Sequence, residues 1–218
     1  MNNSIKRIAT GLILGLCFWA SLMFAPPILF SCLLAFILTT IIVVEWRNLF
    51  NIYRPMFWLI MPLYPILPFA LLMYLNHNPH YHTLLLFLFV IVSSYDTGGY
   101  VVGSLIGRHK MAPRISPRKS WEGFWGGYIC ACLSFTFLLY ELGKLKPWWI
   151  IASFTAVVCI FSCVGDLFES WLKRNANIKD SGTSLPGHGG FLDRFDGILC
   201  AVFFFYFFRD ILVAVFDL

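Results

Sequence analysis

Apolar segments of roughly twenty residues follow one another along most of this chain and are separated by short polar ones. The apolar positions do not alternate with polar ones, so the pattern indicates helices rather than strands. The segments lie at about 8–24, 27–44, 55–75, 83–107, 124–140, 148–170 and 197–215. A backbone inside hydrocarbon must satisfy its hydrogen bonds internally, which a helix does. The pattern predicts an all-α, polytopic integral membrane protein with about seven transmembrane helices.

Composition supports the same class. Only 12% of the 218 residues are charged, whereas a soluble domain carries about 25%. The seven cysteines lie in the apolar segments without metal-ligand spacing, and we interpret them as small hydrophobic side chains. The expected partners are membrane lipid and small molecules, and no nucleic acid is expected.

Positive charge is distributed unevenly among the loops. If the helices alternate in direction and Lys6 and Arg7 lie inside the cell, most of the 16 Lys and Arg side chains fall on that side. They are Lys6, Arg7, Arg47, Arg54, Arg108, Lys110, Arg114, Arg118, Lys119, Lys173, Arg174, Lys179 and Arg194. Such a bias marks the cytoplasmic face. We expect a multi-pass protein of the inner (cytoplasmic) membrane, with loops 108–123 and 171–196 facing the cytoplasm.

Acidic side chains border the second of these loops in two pairs. Asp166 and Glu169 are three residues apart near the end of the sixth segment, and Asp193 and Asp196 are three apart at the start of the seventh. This spacing puts each pair on one helix face, and the first turn of a helix favours ionised carboxylates. Their oxygens would suit Mg²⁺, which takes one or two carboxylates together with substrate phosphate. The alternative is that Asp193 and Asp196 only cap the helix and pair with Arg194.

A glycine-rich turn lies between the two acidic pairs. Gly187, Gly189 and Gly190 have no side chains, so their N–H groups could approach a phosphate closely. His188 either donates to that phosphate or is a structural residue of the turn. The turn therefore predicts an anion-binding site and leaves both roles of His188 open.

The first loop is strongly basic and follows an acid at membrane depth. Ser116, Lys119 and Ser120 are candidates for contact with nucleotide or lipid phosphate, and the alternative is a loop that only binds anionic lipid. Asp96 lies within the fourth apolar segment, where an ionisable residue is a functional candidate. Its alternative role is an interhelical hydrogen bond or an ion pair with a loop arginine.

Two stretches of the chain resemble a known family. Residues 170–196, which read SWLKRNANIKDSGTSLPGHGGFLDRFD, are similar to the signature of phosphatidate cytidylyltransferases, also called CDP-diacylglycerol synthases. Asp96-Thr97 and residues 115–123 are similar to upstream segments of that family, with Ser120 where threonine is commoner. The resemblance implies that CTP and phosphatidic acid react to give CDP-diacylglycerol and pyrophosphate, in phospholipid biosynthesis.

The resemblance also implies a cofactor and residue roles. Relatives depend on Mg²⁺, some with a second cation such as K⁺, and this metal site would fall on Asp166, Asp193 and Asp196. Lys173 and Arg174 are the further catalytic candidates. The substrate-binding candidates come from both loops and the fourth segment: Asp96, Ser116, Lys119, Ser120, Lys179, Asp180, Gly187, His188, Gly189, Gly190 and Arg194.

Two other functions fit parts of this pattern. A CTP-dependent lipid-alcohol kinase would transfer the γ-phosphate, and an ion-coupled transporter would use Asp96 and Asp166 for ions. A transporter predicts polar residues through several spans, whereas here the charge concentrates in two loops, so cytidylyl transfer is favoured. The chain is expected to form one integral domain, with N-terminal helices in 1–82 and a catalytic region in 83–218. A homodimer is left open.

Overall fold

A computed structural model describes residues 15–185, 187 and 189–218, and the fold is almost entirely helical. The helices are α1 (Gly15–Phe24), α2 (Pro27–Thr40), α3 (Trp46–Leu49), α4 (Pro55–Ile60), α5 (Leu67–His77), α6 (His82–Ile106), α7 (Trp121–Glu141), α8 (Trp148–Asn175), α9 (Leu192–Phe207) and α10 (Arg209–Phe216). The start of the predicted first segment, with Lys6 and Arg7, lies outside the described residues.

Among the residues that the structure describes, five stretches of helix are long and apolar enough to cross a membrane. They are Pro27–Leu49, Pro55–His77, His82–Ile106, Trp121–Glu141 and Trp148–Asn175. Each overlaps one of the segments expected from the sequence. The predicted all-α, multi-pass membrane fold is therefore confirmed.

Two of these stretches are interrupted by a π-helical turn. The turn Pro62–Ile66 joins α4 to α5, where Pro62, Pro65 and Pro68 predict an irregular helix because proline cannot donate the usual hydrogen bond. The turn Ile41–Glu45 joins α2 to α3, and the N–H group of Trp46 donates to the carbonyl of Ile41. A π turn shifts the residues that follow it around the helix. The second turn ends in a charged residue, Glu45, whose side chain is fully buried.

The predicted seventh span, 197–215, is not one straight helix. Helices α9 and α10 are bent by 79° at a break between them. Arg209 begins α10, donates to the carbonyl oxygen of Tyr206 and lies over the rings of Tyr81 and Tyr206. Asp210 accepts a 2.6 Å hydrogen bond from the Tyr81 hydroxyl and pairs with Arg209. The bend gives these two charged side chains, placed within an apolar segment, polar and aromatic partners.

The chain forms two compact units. The first combines Met1–Asn78, described from Gly15 onwards, with Leu172–Phe195. Its apolar core includes Phe30 and Leu34 of α2 and Phe69 and Leu72 of α5, all almost fully buried. The predicted division grouped loop 171–196 with the C-terminal region, whereas in the structure nearly all of this loop belongs with the N-terminal helices.

The second unit combines Pro79–Trp171 with Asp196–Leu218. Its centre is an aromatic cluster in which the ring of Phe216 lies 5.4 Å from that of Phe87 and 4.9 Å from that of Phe154. Helices α6 and α7 pack closely through glycines, since a methyl group at Gly127 would lie 2.5 Å from the carbonyl oxygen of Tyr95. Such close approach is typical of helices that associate within a membrane.

The basic loop between α6 and α7 folds into a small antiparallel hairpin that the sequence did not predict. Strand β1 (Lys110–Ala112) pairs with β2 (Ser116–Ser120), with Lys110 opposite Ser120 and Ala112 opposite Ser116. Strand β2 runs directly into α7, whose N-cap is Ser120. The hairpin therefore fixes Lys119 two residues before the first residue of a membrane helix.

Candidate active site

In the second unit, Lys119 forms an ion pair with Asp166. The ammonium of Lys119, at the end of β2, donates to Oδ2 of Asp166 on α8. Asp166 is only 8% exposed. Burial alone would lower the pKa of the Lys119 ammonium, but its interactions with the Asp166 carboxylate outweigh this and the pKa lies above its ordinary value. Lys119 is therefore a fixed positive charge held against a nearly buried carboxylate.

The other carboxylate oxygen of Asp166 is also buried. Oδ1 of Asp166 and the hydroxyl of Ser162 have no hydrogen-bond partner among the described residues. Both atoms lie against the start of α9, because a methyl group at Gly197 would lie 3.0 Å from Oδ1 of Asp166 and closer to the hydroxyl of Ser162. A buried carboxylate oxygen without a donor is costly. It is an atom to which a cation could bind.

Helices α8 and α9 touch at the same level through Gly165. A methyl group there would lie 2.8 Å from Cβ of Cys200 and closer still to the backbone carbonyl of Asp196. Asp196 interacts electrostatically with the carboxylates of Asp166, Glu169 and Asp96 as well as with Lys119. These four carboxylates, together with the ammonium of Lys119, are called the acidic cluster.

An excess of carboxylates around a buried, unpaired oxygen fits a hard cation such as Mg²⁺. Within the part of the chain that the structure describes, no group of three or more His, Cys, Asp or Glu side chains is arranged to hold a metal ion. The three-aspartate metal site therefore stays a prediction.

In the first unit, the Asp193 carboxylate accepts hydrogen bonds from Lys173 and from the loop before α9. Its Oδ1 accepts a 2.7 Å hydrogen bond from the ammonium of Lys173, and its Oδ2 accepts from the N–H of Gly190 at 2.8 Å. The N–H of Ser181 donates to the same carboxylate, and the Ser181 hydroxyl lies 3.0 Å from its Oδ2. These contacts tie the loop residues Ser181 and Gly190, and the ammonium of Lys173, to the first turn of α9. The metal-binding role of Asp193 stays a prediction.

The glycine turn needs its glycines for conformation and for space. Gly187 and Gly189 have φ angles of 81° and 84°, in the left-handed region that favours glycine. The N–H of Leu185 donates to the carbonyl of Gly189 at 2.9 Å and closes the turn. A side chain at Gly190 would collide with Ser181 and Glu45. Because the Gly190 N–H is committed to Asp193, a role of this N–H in binding phosphate stays a prediction, and His188 lies outside the described residues.

Residues 47–212 match the model of the cytidylyltransferase family. The chain belongs to this family. The family resemblance expected from the sequence is thereby confirmed. The match includes both motif loops, the hairpin with Lys119 and the helix segments that carry Asp166, Asp193 and Asp196.

Several relatives are named phosphatidate cytidylyltransferase. Those of Staphylococcus haemolyticus (strain JCSC1435) and Staphylococcus epidermidis are 44% and 45% identical over 115 residues, which are 53% of this chain and 44% of each relative. The one of Mycobacterium leprae (strain TN) is 45% identical over 113 residues, 51% of this chain and 36% of the relative. The aligned part of the chain thus spans less than half of each relative's length.

Ser120 has a structural role at the start of α7. Its side chain is 3% exposed and accepts a 3.2 Å hydrogen bond from the N–H of Gly123, capping α7. It also lies against α6, because a methyl group at Gly103 would be 3.4 Å from its hydroxyl oxygen. Contact of Ser120 with a phosphate stays a prediction.

The remaining candidates lie mostly on the surface. Arg174 is exposed and donates to the carbonyl oxygen of Ile178. Ser116 is partly buried at the start of β2. The other exposed candidates are Asp96, Lys179, Asp180, Gly187 and Arg194. Their substrate-binding roles stay predictions.

One residue central to the first unit was missed by the sequence reasoning. Glu45 accepts hydrogen bonds from Ser181 and Ser184 and from the N–H groups of Phe191 and Leu192. In the sequence it looked like part of a short polar turn after an apolar segment. The available signal was a carboxylate placed directly after the apolar run that ends at Val44.

Proposed function

We propose that this chain transfers a cytidylyl group from CTP to phosphatidic acid, giving CDP-diacylglycerol and pyrophosphate. The observation that carries the proposal is the family match across residues 47–212, which contain both lysine–aspartate pairs. The printed names of its relatives agree with this reaction.

The chemistry asks for positive charge rather than for a base. A phosphate oxygen of phosphatidic acid attacks the α-phosphorus of CTP, the bond from that phosphorus to the bridging oxygen breaks, and pyrophosphate leaves. The attacking oxygen is already anionic, so no general base is needed. The barrier lies in bringing two polyanions together, which fixed cations lower by stabilising the charge on the phosphoryl oxygens. Lys119 and Lys173, each held by an aspartate, are suited to this task.

The residues of the second unit fit a magnesium ion. Asp166 offers a buried oxygen without a hydrogen-bond partner among the described residues, and Asp196 adds a second carboxylate. When bound, Mg²⁺ supplies charge that neutralises and orients phosphate oxygens. Asp193 is the third proposed ligand, and its existing contacts mean that it would have to give up some of its donors. A second cation such as K⁺ belongs to the same proposal.

The proposed location is the cytoplasmic side of the inner membrane. Most of the Lys and Arg side chains were assigned to that side from the order of the helices, and CTP is a cytoplasmic substrate. Exposed Arg174, Lys179 and Arg194 are the further candidates for binding the triphosphate or the lipid phosphate. A homodimer is part of the proposal and is testable by light scattering of the purified protein.

Labelled CTP tests the reaction. Purified protein is incubated with phosphatidic acid, Mg²⁺ and CTP that carries ³²P at either the α or the γ position. Cytidylyl transfer puts the α label into lipid and the γ label into pyrophosphate. A CTP-dependent lipid-alcohol kinase would put the γ label into an added lipid alcohol instead, and that result would overturn the proposal.

A further inference from the structure

We propose that Glu45 is a positioning residue, which holds the segment Ser181–Leu192 in the shape that presents Asp193 and Lys173 to the substrates. This segment is called the signature loop below. The enzymatic consequence rests on the proposed cytidylyl transfer, whereas the effect on the loop does not.

Four donors from the signature loop converge on the Glu45 carboxylate. Its Oε1 accepts from the Ser184 hydroxyl at 2.6 Å and from the Phe191 N–H at 2.8 Å. Its Oε2 accepts from the Leu192 N–H at 2.8 Å and from the Ser181 hydroxyl at 3.1 Å. The Glu45 side chain, at the end of the π turn, thus binds both ends of a loop that lies more than 130 residues later in the chain.

The surroundings of Glu45 match a carboxylate and no smaller or apolar group. It is fully buried, and every partner that the described residues offer it is a neutral donor. Two of these donors are N–H groups at the start of α9, which the helix itself gives no acceptor, and the helix dipole there stabilises negative charge. Without the carboxylate, those N–H groups would be buried unpaired, at a cost that backbone groups rarely bear.

The loop backbone is also fitted around the Glu45 side chain. A methyl group at Gly182 would lie 2.9 Å from Cγ of Glu45, and one at Gly190 would lie 2.6 Å from its Oε2. Asn48, three residues after Glu45, donates to the Ser181 carbonyl at 2.9 Å. The π turn Ile41–Glu45 and α3 therefore form the seat of the loop.

Ser181 connects this seat to the candidate catalytic side chains. Its hydroxyl lies 3.1 Å from Oε2 of Glu45 and 3.0 Å from Oδ2 of Asp193. Since a hydroxyl has one proton, it donates to only one of these carboxylates at a time. Asp193 in turn binds the ammonium of Lys173. A displacement of the loop would move Ser181, and with it the Asp193–Lys173 pair, so Glu45 would act on the reaction through these residues.

Three variants separate charge from geometry. Glu45→Gln keeps the shape but presents an NH₂ donor to one backbone N–H, so one of the two backbone hydrogen bonds is lost. Glu45→Asp keeps the charge but is one methylene too short to serve both ends of the loop. The matched control is Asn76→Ala, which removes a buried 2.7 Å hydrogen bond to the carbonyl of Pro27 in the same unit without touching the loop.

The first readout does not depend on activity. Hydrogen–deuterium exchange of the protein in detergent, read out by mass spectrometry, measures the deuterium uptake rate of the peptide that contains Phe191 and Leu192. We expect exchange of at least one of these two amides to be about 10-fold faster or more in each Glu45 variant, since each variant loses at least one of the acceptors that protect them. Asn76→Ala is expected to leave this peptide at the wild-type rate.

The second readout is kcat, the turnover per mole of monodisperse enzyme. A loop displaced by about 1 Å is expected to lower kcat by roughly 10- to 100-fold with a smaller change in KM. Asn76→Ala changes the amount of folded protein rather than kcat. Wild-type exchange in the Glu45 variants, or faster exchange with unchanged kcat, would overturn the positioning role. If wild type itself makes no liponucleotide while the Glu45 variants exchange faster, the proposed function fails and the structural part of this inference stands.

Discussion

Substituting Gly165 by alanine tests whether the contact between α8 and α9 sets the geometry of the acidic cluster. The methyl group would lie 2.8 Å from Cβ of Cys200 and closer still to the backbone carbonyl of Asp196. Neither group is the mobile end of a long side chain. The two helices must therefore separate, and Asp166 and Asp196 are carried apart with them.

The size of the shift follows from these distances. Ordinary contact begins at 3.4 Å, so the helices must move apart by about 0.6 Å at Cys200 and by more at the Asp196 carbonyl. Displacements approaching 1 Å at a reacting site cost up to about 100-fold in rate. The overpacking costs about 1–3 kcal/mol of stability, partly offset by the higher helix propensity of alanine, which contributes about 1 kcal/mol. We expect a folded protein whose kcat falls by roughly 10- to 100-fold.

The matched control is Gly99→Ala in the same unit. Its added methyl group would lie 3.4 Å from the nearest atom, the carbonyl oxygen of Gly123, so nothing needs to move. Both variants are assayed for CDP-diacylglycerol formation per monodisperse enzyme over a range of Mg²⁺ concentrations. Gly165→Ala is expected to lose turnover and to require more Mg²⁺, whereas Gly99→Ala resembles wild type. Equal turnover and equal Mg²⁺ dependence of the two variants would refute the reasoning.

Three further substitutions test individual contacts. Lys119→Met leaves Asp166 without its cation, so the protein is expected to lose about 3 kcal/mol or more of stability, measured by thermal unfolding in detergent. Adding Asp166→Asn to this variant should restore part of the lost stability. Ser120→Ala removes a helix cap and is expected to cost about 1 kcal/mol with KM for CTP unchanged; a large rise in KM would instead support phosphate contact. Asp193→Asn weakens the contact with Lys173, and we expect at least a 10-fold fall in kcat, which steady-state assays measure; unchanged kcat would contradict a role for this pair.

The helical spans were predictable because each is a continuous apolar segment, and this pattern is local. The α9–α10 bend was not predicted, because it depends on where Arg209 and Asp210 find partners. One of those partners, Tyr81, lies more than 120 residues earlier in the chain. The hairpin at Lys110–Ser120 was missed because its prolines and charges are typical of an irregular loop.

The candidate site was predicted in its residue types but not in its contacts. The spacing of Asp166, Asp193 and Asp196 is visible in the sequence, and so are the glycines of the turn. That Asp193 binds Lys173 and the N–H of Gly190 depends on the folded loop. The seat formed by Glu45 had no local signal beyond a single carboxylate after an apolar run, because its partners follow it by more than 130 residues.

The most direct test of the proposed function compares wild type with Asp166→Asn. Both proteins are given CTP that carries ³H in the cytosine ring and ³²P at the γ-phosphate, and both labels are followed into the products. For wild type with Mg²⁺, we expect ³H in the lipid fraction and ³²P in pyrophosphate in equal amounts, and for the variant neither above background. An Asp166→Asn protein that still forms the tritiated lipid at a near-normal rate would contradict the role assigned to this carboxylate, and ³²P in the lipid would contradict cytidylyl transfer itself.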